Sequence, residues 1–222
     1  ALNDIGRVYY YLGDYRKSLE YYQRALIVSE VIKDEKLIAF SSINIGIILM
    51  YQNNFDEALK YMNVALDKAM KTNDRITAAN ALLNIGTLNC RKGDCNFSLK
   101  YYFRSLKLIK GMGIREEFIS LLNIAEVLTE DKRYSEAIDY YYQALSICRK
   151  NNYRDGLNYT YMGLASLYNE TGRYNDAIQY ASAALGIAVE IDNLEQQHDI
   201  YGILSSCYES LKQYEDAYKY KF

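Results

Sequence analysis

His198 is the one histidine in the 222-residue chain, and it stands beside Asp199. A His–Asp pair does general-base work only when it faces a nucleophile and an oxyanion hole. Here the pair falls near the start of a helical pattern, and it reads as an ordinary surface pair. Cys90 and Cys95 lie five residues apart across a turn. Zinc sites draw on closer cysteine pairs joined by histidines or further cysteines, and no His joins these two. Cys148 and Cys207 sit inside helical patterns, where a free cysteine behaves as a small buried hydrophobe. A core of this size needs no disulfide scaffold, so the redox compartment stays undecided. Gly111-Met112-Gly113 lacks the lysine and the preceding strand of a phosphate loop. These readings leave no catalytic, cofactor or metal residues, and the chain is expected not to be an enzyme. Lys100, Arg104, Lys107 and Lys110 make a basic stripe that suits phosphate, an acidic partner or plain solvent. Because the rest of the chain is acidic, a solvated convex face is the preferred reading.

Composition narrows the class further. Half the residues are apolar and 24% are charged, which is a folding composition. There are 25 Tyr and no Pro, so no ring breaks a helix anywhere. A net charge of −2 gives no reason to expect nucleic acid at this segment. No apolar run reaches the roughly 18 residues that a membrane helix needs, so no membrane contact is expected. The chain opens at Ala1 and stops at Phe222 inside helical patterns, which reads as a piece of a longer protein.

Whatever these side chains do, a repeat positions them. Gly13-Asp14-Tyr15-Arg16-Lys17-Ser18-Leu19 returns as Asn53-Asn54-Phe55-Asp56-Glu57-Ala58-Leu59, and four more times. The small residues Ser18, Ala58, Ser98, Ala137, Ala177 and Ala217 follow at intervals of 40, 40, 39, 40 and 40. A second set keeps step: Gly6, Gly46, Gly86, Ala125, Ala165 and Ser205. The one missing residue lies near Gly111-Met112-Gly113, between repeats, where a deletion costs little. Inside a helix it would rotate a packed face by about 100°.

Each repeat reads as two helices. In the second, helix A covers about 36–51 and helix B about 56–71, each with apolar residues at helical spacing. Gly13, Asn53, Gly93 and Gly172 stand where a left-handed C-cap belongs. Asp34, Asp74 and Asn193 are suited to cap the next helix. The small residues let helices approach to roughly 8–10 Å. Ile5, Ile45, Ile85, Ile124, Leu164 and Leu204 precede them as the bulky partners. One hairpin cannot bury both its faces, so stacking is what makes such an array stable.

These residues resemble the tetratricopeptide repeat family along the whole chain. The pattern is Ile45-Gly46, Phe55, Ala58, Met62 and Ala65 in the second unit, and Ile124-Ala125, Tyr134, Ala137, Tyr141 and Ala144 in the fourth. The closing Pro is missing, and the period is 40 where about 34 is usual. The longer form, with Asn44-Ile45-Gly46 and Asn84-Ile85-Gly86, is similar to repeats of bacterial signalling proteins. The resemblance implies an all-α, right-handed superhelix of about six helix-turn-helix repeats. They form one array over 1–222, divided at about 1–33, 34–73, 74–112, 113–152, 153–192 and a truncated 193–222. It also implies a protein- or peptide-binding module, the sensing or regulatory part of a kinase or transcriptional regulator. A non-switching scaffold and a peptide-pheromone receptor stay open beside it. No cofactor is implied. The periplasmic or cytoplasmic side is undecided, and so is pairing of two chains.

In such arrays helix A lines the concave face. Reading by offset from the small residue puts Tyr10, Tyr11, Phe40, Ile43, Ile47, Met50 and Tyr51 there, with Asn80, Leu83 and Thr87 in the third unit. Glu126, Glu130 and Glu170 follow in the second half. The expected groove takes apolar anchors near Phe40, Ile47 and Tyr51, and basic groups near the glutamates. The alternative is that the longer helices bury the apolar positions in the stack. A Lys and Asn set for gripping a terminal carboxylate is absent: the matching places carry Ile43, Ile47 and Asn80.

Overall fold

Helix follows helix through the computed structural model, which describes residues 1–221. Phe222, the end of the expected last repeat, lies outside the described residues. Among these residues there are twelve helices and no strand. Two units divide them, one through Met112 and one from Gly113 onward. The first holds α1 (Leu2–Tyr11), α2 (Tyr15–Val31), α3 (Glu35–Tyr51), α4 (Phe55–Lys71), α5 (Arg75–Arg91) and α6 (Cys95–Ile109). The second holds α7 (Arg115–Glu130), α8 (Tyr134–Asn151), α9 (Arg154–Glu170), α10 (Tyr174–Glu190), α11 (Leu194–Ser210) and α12 (Tyr214–Lys219). Odd-numbered helices are the A helices and even-numbered ones the B helices.

The helix ends follow from local chemistry. Gly13, Asn53, Gly93 and Gly172 adopt φ of 75°, 60°, 91° and 75°, the left-handed conformation expected of them. Lys33, Asn73, Lys132, Asn152, Asp192 and Lys212 do the same without being glycine. The carboxylates of Asp34 and Asp74 accept from backbone N–H groups of the next turn, as does the Asn193 side chain. Asp14 and Asp94 cap α2 and α6 in the same way. Each such cap is worth about 1 kcal/mol.

Close approach explains the glycines of the A helices. A Cβ on Gly46 would sit 2.9 Å from Met62 Cγ, and one on Gly86 would sit 2.4 Å from Tyr102 Cε1. Ile45, Ile85, Ile124, Leu164 and Leu204 are completely buried beside those contacts. Each contributes roughly 1.5–3 kcal/mol of burial. In the second unit Ala165, Ala181, Ala184 and Ala188 pack with Ile200 and Leu204.

Helix α3 has three packed sides: it lies against its own B helix α4, the preceding B helix α2 and the next A helix α5. Only one stripe of α3 remains open. The missing residue of the repeat is absorbed where α6 ends at Ile109, two residues short of the register set by α4. Gly111 and Gly113 then take positive φ at the junction of the two units. Across the turn between α5 and α6, Cys90 in the last turn of α5 and Cys95 at the start of α6 are joined as a disulfide. Sequence reasoning missed this bond. Its one signal was that the two thiols flank a single short turn. Cys148 and Cys207 are free and buried.

Candidate binding surface

The open stripe of α3 runs through Phe40, Asn44, Ile47 and Tyr51, at steps of four, three and four residues. That spacing keeps them on one side of a helix. Arg7, Tyr10 and Tyr11 of α1 face the same space. Together with Tyr22 and Ile48 they line a pocket of ≈ 150 Å³. Gly6 makes room for it: its missing Cβ would stand 2.7 Å from Tyr22 Cε1. The Tyr22 ring therefore slides past α1 and closes the floor.

An aromatic cluster forms one wall. Tyr10 donates a hydrogen bond to the Tyr51 hydroxyl, and Tyr15 stacks on Tyr51 at 5.7 Å between centroids with planes 6° apart. The Arg91 guanidinium stands 4.9 Å from the Tyr51 centroid. Burial and the Tyr51 hydroxyl raise the Tyr10 phenol well above its ordinary value. Phe40 and Tyr11 keep 45% and 79% of their surface exposed, a combination suited to a partner's side chain.

The sequence-predicted residues divide into three groups. Tyr10, Tyr11, Phe40 and Ile47 line the pocket, and Tyr51 extends its stripe. Asn80 and Thr87 are half-buried on α5: Asn80 accepts from Asn84, and Thr87 shares a hydrogen bond with the Tyr102 hydroxyl. Ile43, Met50 and Leu83 depart from the expected open positions and lie in the core. Ile43 packs among Ala39, Ala65, Ala69, Ala78 and Ala81, and Met50 among Ile48, Leu49 and Ile85. They sit one residue off the open stripe, on sides that neighbouring helices cover. Asn44 and Tyr22 were missed. Asn44 was legible as the residue four after Phe40, and Tyr22 as the bulk opposite Gly6.

In the second unit the open stripe of α7 is Ile119, Asn123, Glu126 and Glu130, and both glutamates are exposed. The packed helices around the exposed Glu126 carboxyl leave it partly desolvated. That desolvation, with the charge of Glu130 one turn away, raises its pKa to about 7. Glu170 at the end of α9 is exposed and accepts a hydrogen bond from the Tyr134 hydroxyl at 3.3 Å. His198 is exposed and makes no hydrogen bond among the described residues.

The hairpins, their small residues and their single open stripe point to one family. The sequence profile of the tetratricopeptide repeat matches residues 1–71, 77–150 and 116–188. The chain belongs to the tetratricopeptide repeat family. This repeat protein has no match among curated protein sequences. Solved structures share its fold. BtubC (BKLC) from P. vanneervenii is 15% identical with a TM-score of 0.82, over 93% of this chain and 87% of that one. The Pyrococcus horikoshii STAND protein with a tetratricopeptide repeat sensor is 20% identical with a TM-score of 0.84, over 98% of this chain and 34% of that one. A Rap protein complexed with competence and sporulation factor is 14% identical with a TM-score of 0.74, over 99% and 71%.

Proposed function

We propose that this repeat array is a protein- or peptide-binding module, the sensing or regulatory segment of a larger bacterial signalling protein. The observation that carries the reading is the pocket between α1 and α3. It offers exposed aromatic surface, one guanidinium and one amide. An apolar or aromatic anchor of a peptide fits it, with the peptide backbone reaching Asn44. On the second unit Glu126, Glu130 and Glu170 favour a partner with basic groups. The signalling role draws support from the forty-residue repeats and from two proteins of the same fold, a signal transduction ATPase described as having a tetratricopeptide repeat sensor and a Rap protein complexed with competence and sporulation factor.

Mass spectrometry of the purified protein and calorimetry with the peptides so identified test the reading. Replacing Tyr10, Phe40 and Tyr51 together by Ala should weaken peptide binding by about tenfold or more. Unchanged affinity would end the assignment of this pocket.

A further inference from the structure

The third hairpin carries a charge pattern that the repeat does not require. Residues 1–112 hold 16 Lys+Arg against 11 Asp+Glu, whereas residues 113–222 hold 10 against 17. Within the first unit, α6 contains no Asp or Glu at all. Lys100, Arg104 and Lys107 recur on one face of it, and Lys110 continues the row at its end. All four are exposed. The ion pairs of this unit use other cations, among them Lys17, Lys68, Lys71 and Lys92. No carboxylate of the described residues pairs with the row.

The repeat serves as its own control. Forty residues earlier the same four positions hold Lys60, Val64, Asp67 and Met70. Thirty-nine residues later they hold Asp139, Gln143, Ser146 and Arg149. Each of those hairpins folds with a single cation among the four positions, so the full row has no packing role to explain it. Two of its members are also held in place. The Lys100 ammonium lies 5.7 Å from the Phe97 centroid, and the Arg104 guanidinium 5.9 Å from that of Tyr101. Those contacts keep the stems against the rings and present the heads along about 15 Å of helix.

We propose that this face of α6 is a docking strip for a short acidic segment of a partner protein. Carboxylates spaced by one helical turn meet Lys100, Arg104 and Lys107, and an apolar residue meets the exposed edge of Phe97. Charge complementarity selects an anion, and two features select a short protein segment over nucleic acid. The cations already lie over the rings, so ring faces are not free to stack bases. The acidic surplus of residues 113–222 repels a long polyanion more than a segment confined to one helix. The strip is separate from the α1–α3 pocket and does not depend on it.

Fluorescence anisotropy with a labelled helical peptide bearing Glu at i, i+4 and i+7 tests the proposal. Wild-type protein should bind it at low salt. Lys100→Glu, Arg104→Glu and Lys107→Glu together should weaken binding by about tenfold or more. The Lys60→Glu variant should bind as wild type does. Circular dichroism checks that each variant keeps its helices. No binding by wild type, equal binding by the triple reversal, or tighter binding of a single-stranded oligonucleotide or of phosphatidylserine vesicles would overturn it.

Discussion

Tyr10 donates a hydrogen bond to the hydroxyl of Tyr51 at 3.3 Å, tying the first hairpin to the second across 41 residues. The bond closes the wall of the pocket, and the ring of Tyr51 supports it by stacking on Tyr15. The two contributions separate by substitution. Tyr51→Phe keeps the stack and loses the acceptor, which should cost about 1 kcal/mol or less. Tyr51→Ala loses the stack and the contact with Arg91 as well, and should cost about 1–3 kcal/mol. Urea unfolding of both variants measures the difference. Equal losses would show that the ring stack contributes nothing.

Gly86 offers a sharper test of how the A helices fit. Its Cβ would meet the Tyr102 ring at 2.4 Å, and Tyr102 is itself buried. Gly86→Ala should therefore destabilise the first unit by about 1–3 kcal/mol, although alanine is the better helix former by about 1 kcal/mol. Adding Tyr102→Met, the residue type that faces Gly46, should recover much of the loss. Denaturation midpoints of the single and double variants check this, and a stabilised Gly86→Ala would contradict the packing.

The thiols give a chemical readout of the same packing. Burial pushes both Cys148 and Cys207 up to about 11, so little thiolate exists at pH 8 and neither sulfur is accessible. Ellman's reagent should find no thiol in the native, oxidised protein and two after unfolding. Prior reduction of the Cys90–Cys95 bond should bring the unfolded count to four. A thiol that reacts in the native state would place Cys148 or Cys207 at the surface.

The repeat made most of this fold legible. Small residues at a nearly fixed interval located the close helix contacts at Gly6, Gly46 and Gly86, though not those at Gly156 and Gly163, and Gly13, Asn53, Asp34 and Asp74 marked helix ends because their backbone or side-chain chemistry acts locally. The open stripe was only partly legible. Offset from Gly46 pointed to Phe40, Ile47 and Tyr51, which keep surface open to solvent, and also to Ile43 and Met50, which are buried one residue away, because one residue turns a helix by about 100°. Which side is open depends on how many neighbours cover helix A, a tertiary property with no local mark. The Cys90–Cys95 bond was illegible for a related reason: a five-residue separation bridges only when a tight turn folds the two ends together. The raised carboxyl of Glu126 comes from surrounding protein that no sequence window contains.

That carboxyl makes the last prediction. The native value near 7 exceeds the ordinary 4.5, so between these limits the native state holds a proton that the unfolded chain has released. Stability therefore falls as pH rises through this window, and the penalty is complete above it. Glu126→Gln removes the titration. Its melting temperature should match wild type near pH 4.5 and exceed it increasingly toward pH 8. A difference that stays flat with pH would mean that the carboxyl is solvated like any surface glutamate. Binding should respond in the opposite sense. Ionisation supplies a charge beside Glu130, so a peptide with basic groups should bind the wild type more tightly at pH 8 than at pH 6. In Glu126→Gln that gain should shrink, and calorimetry at the two pH values reads it directly.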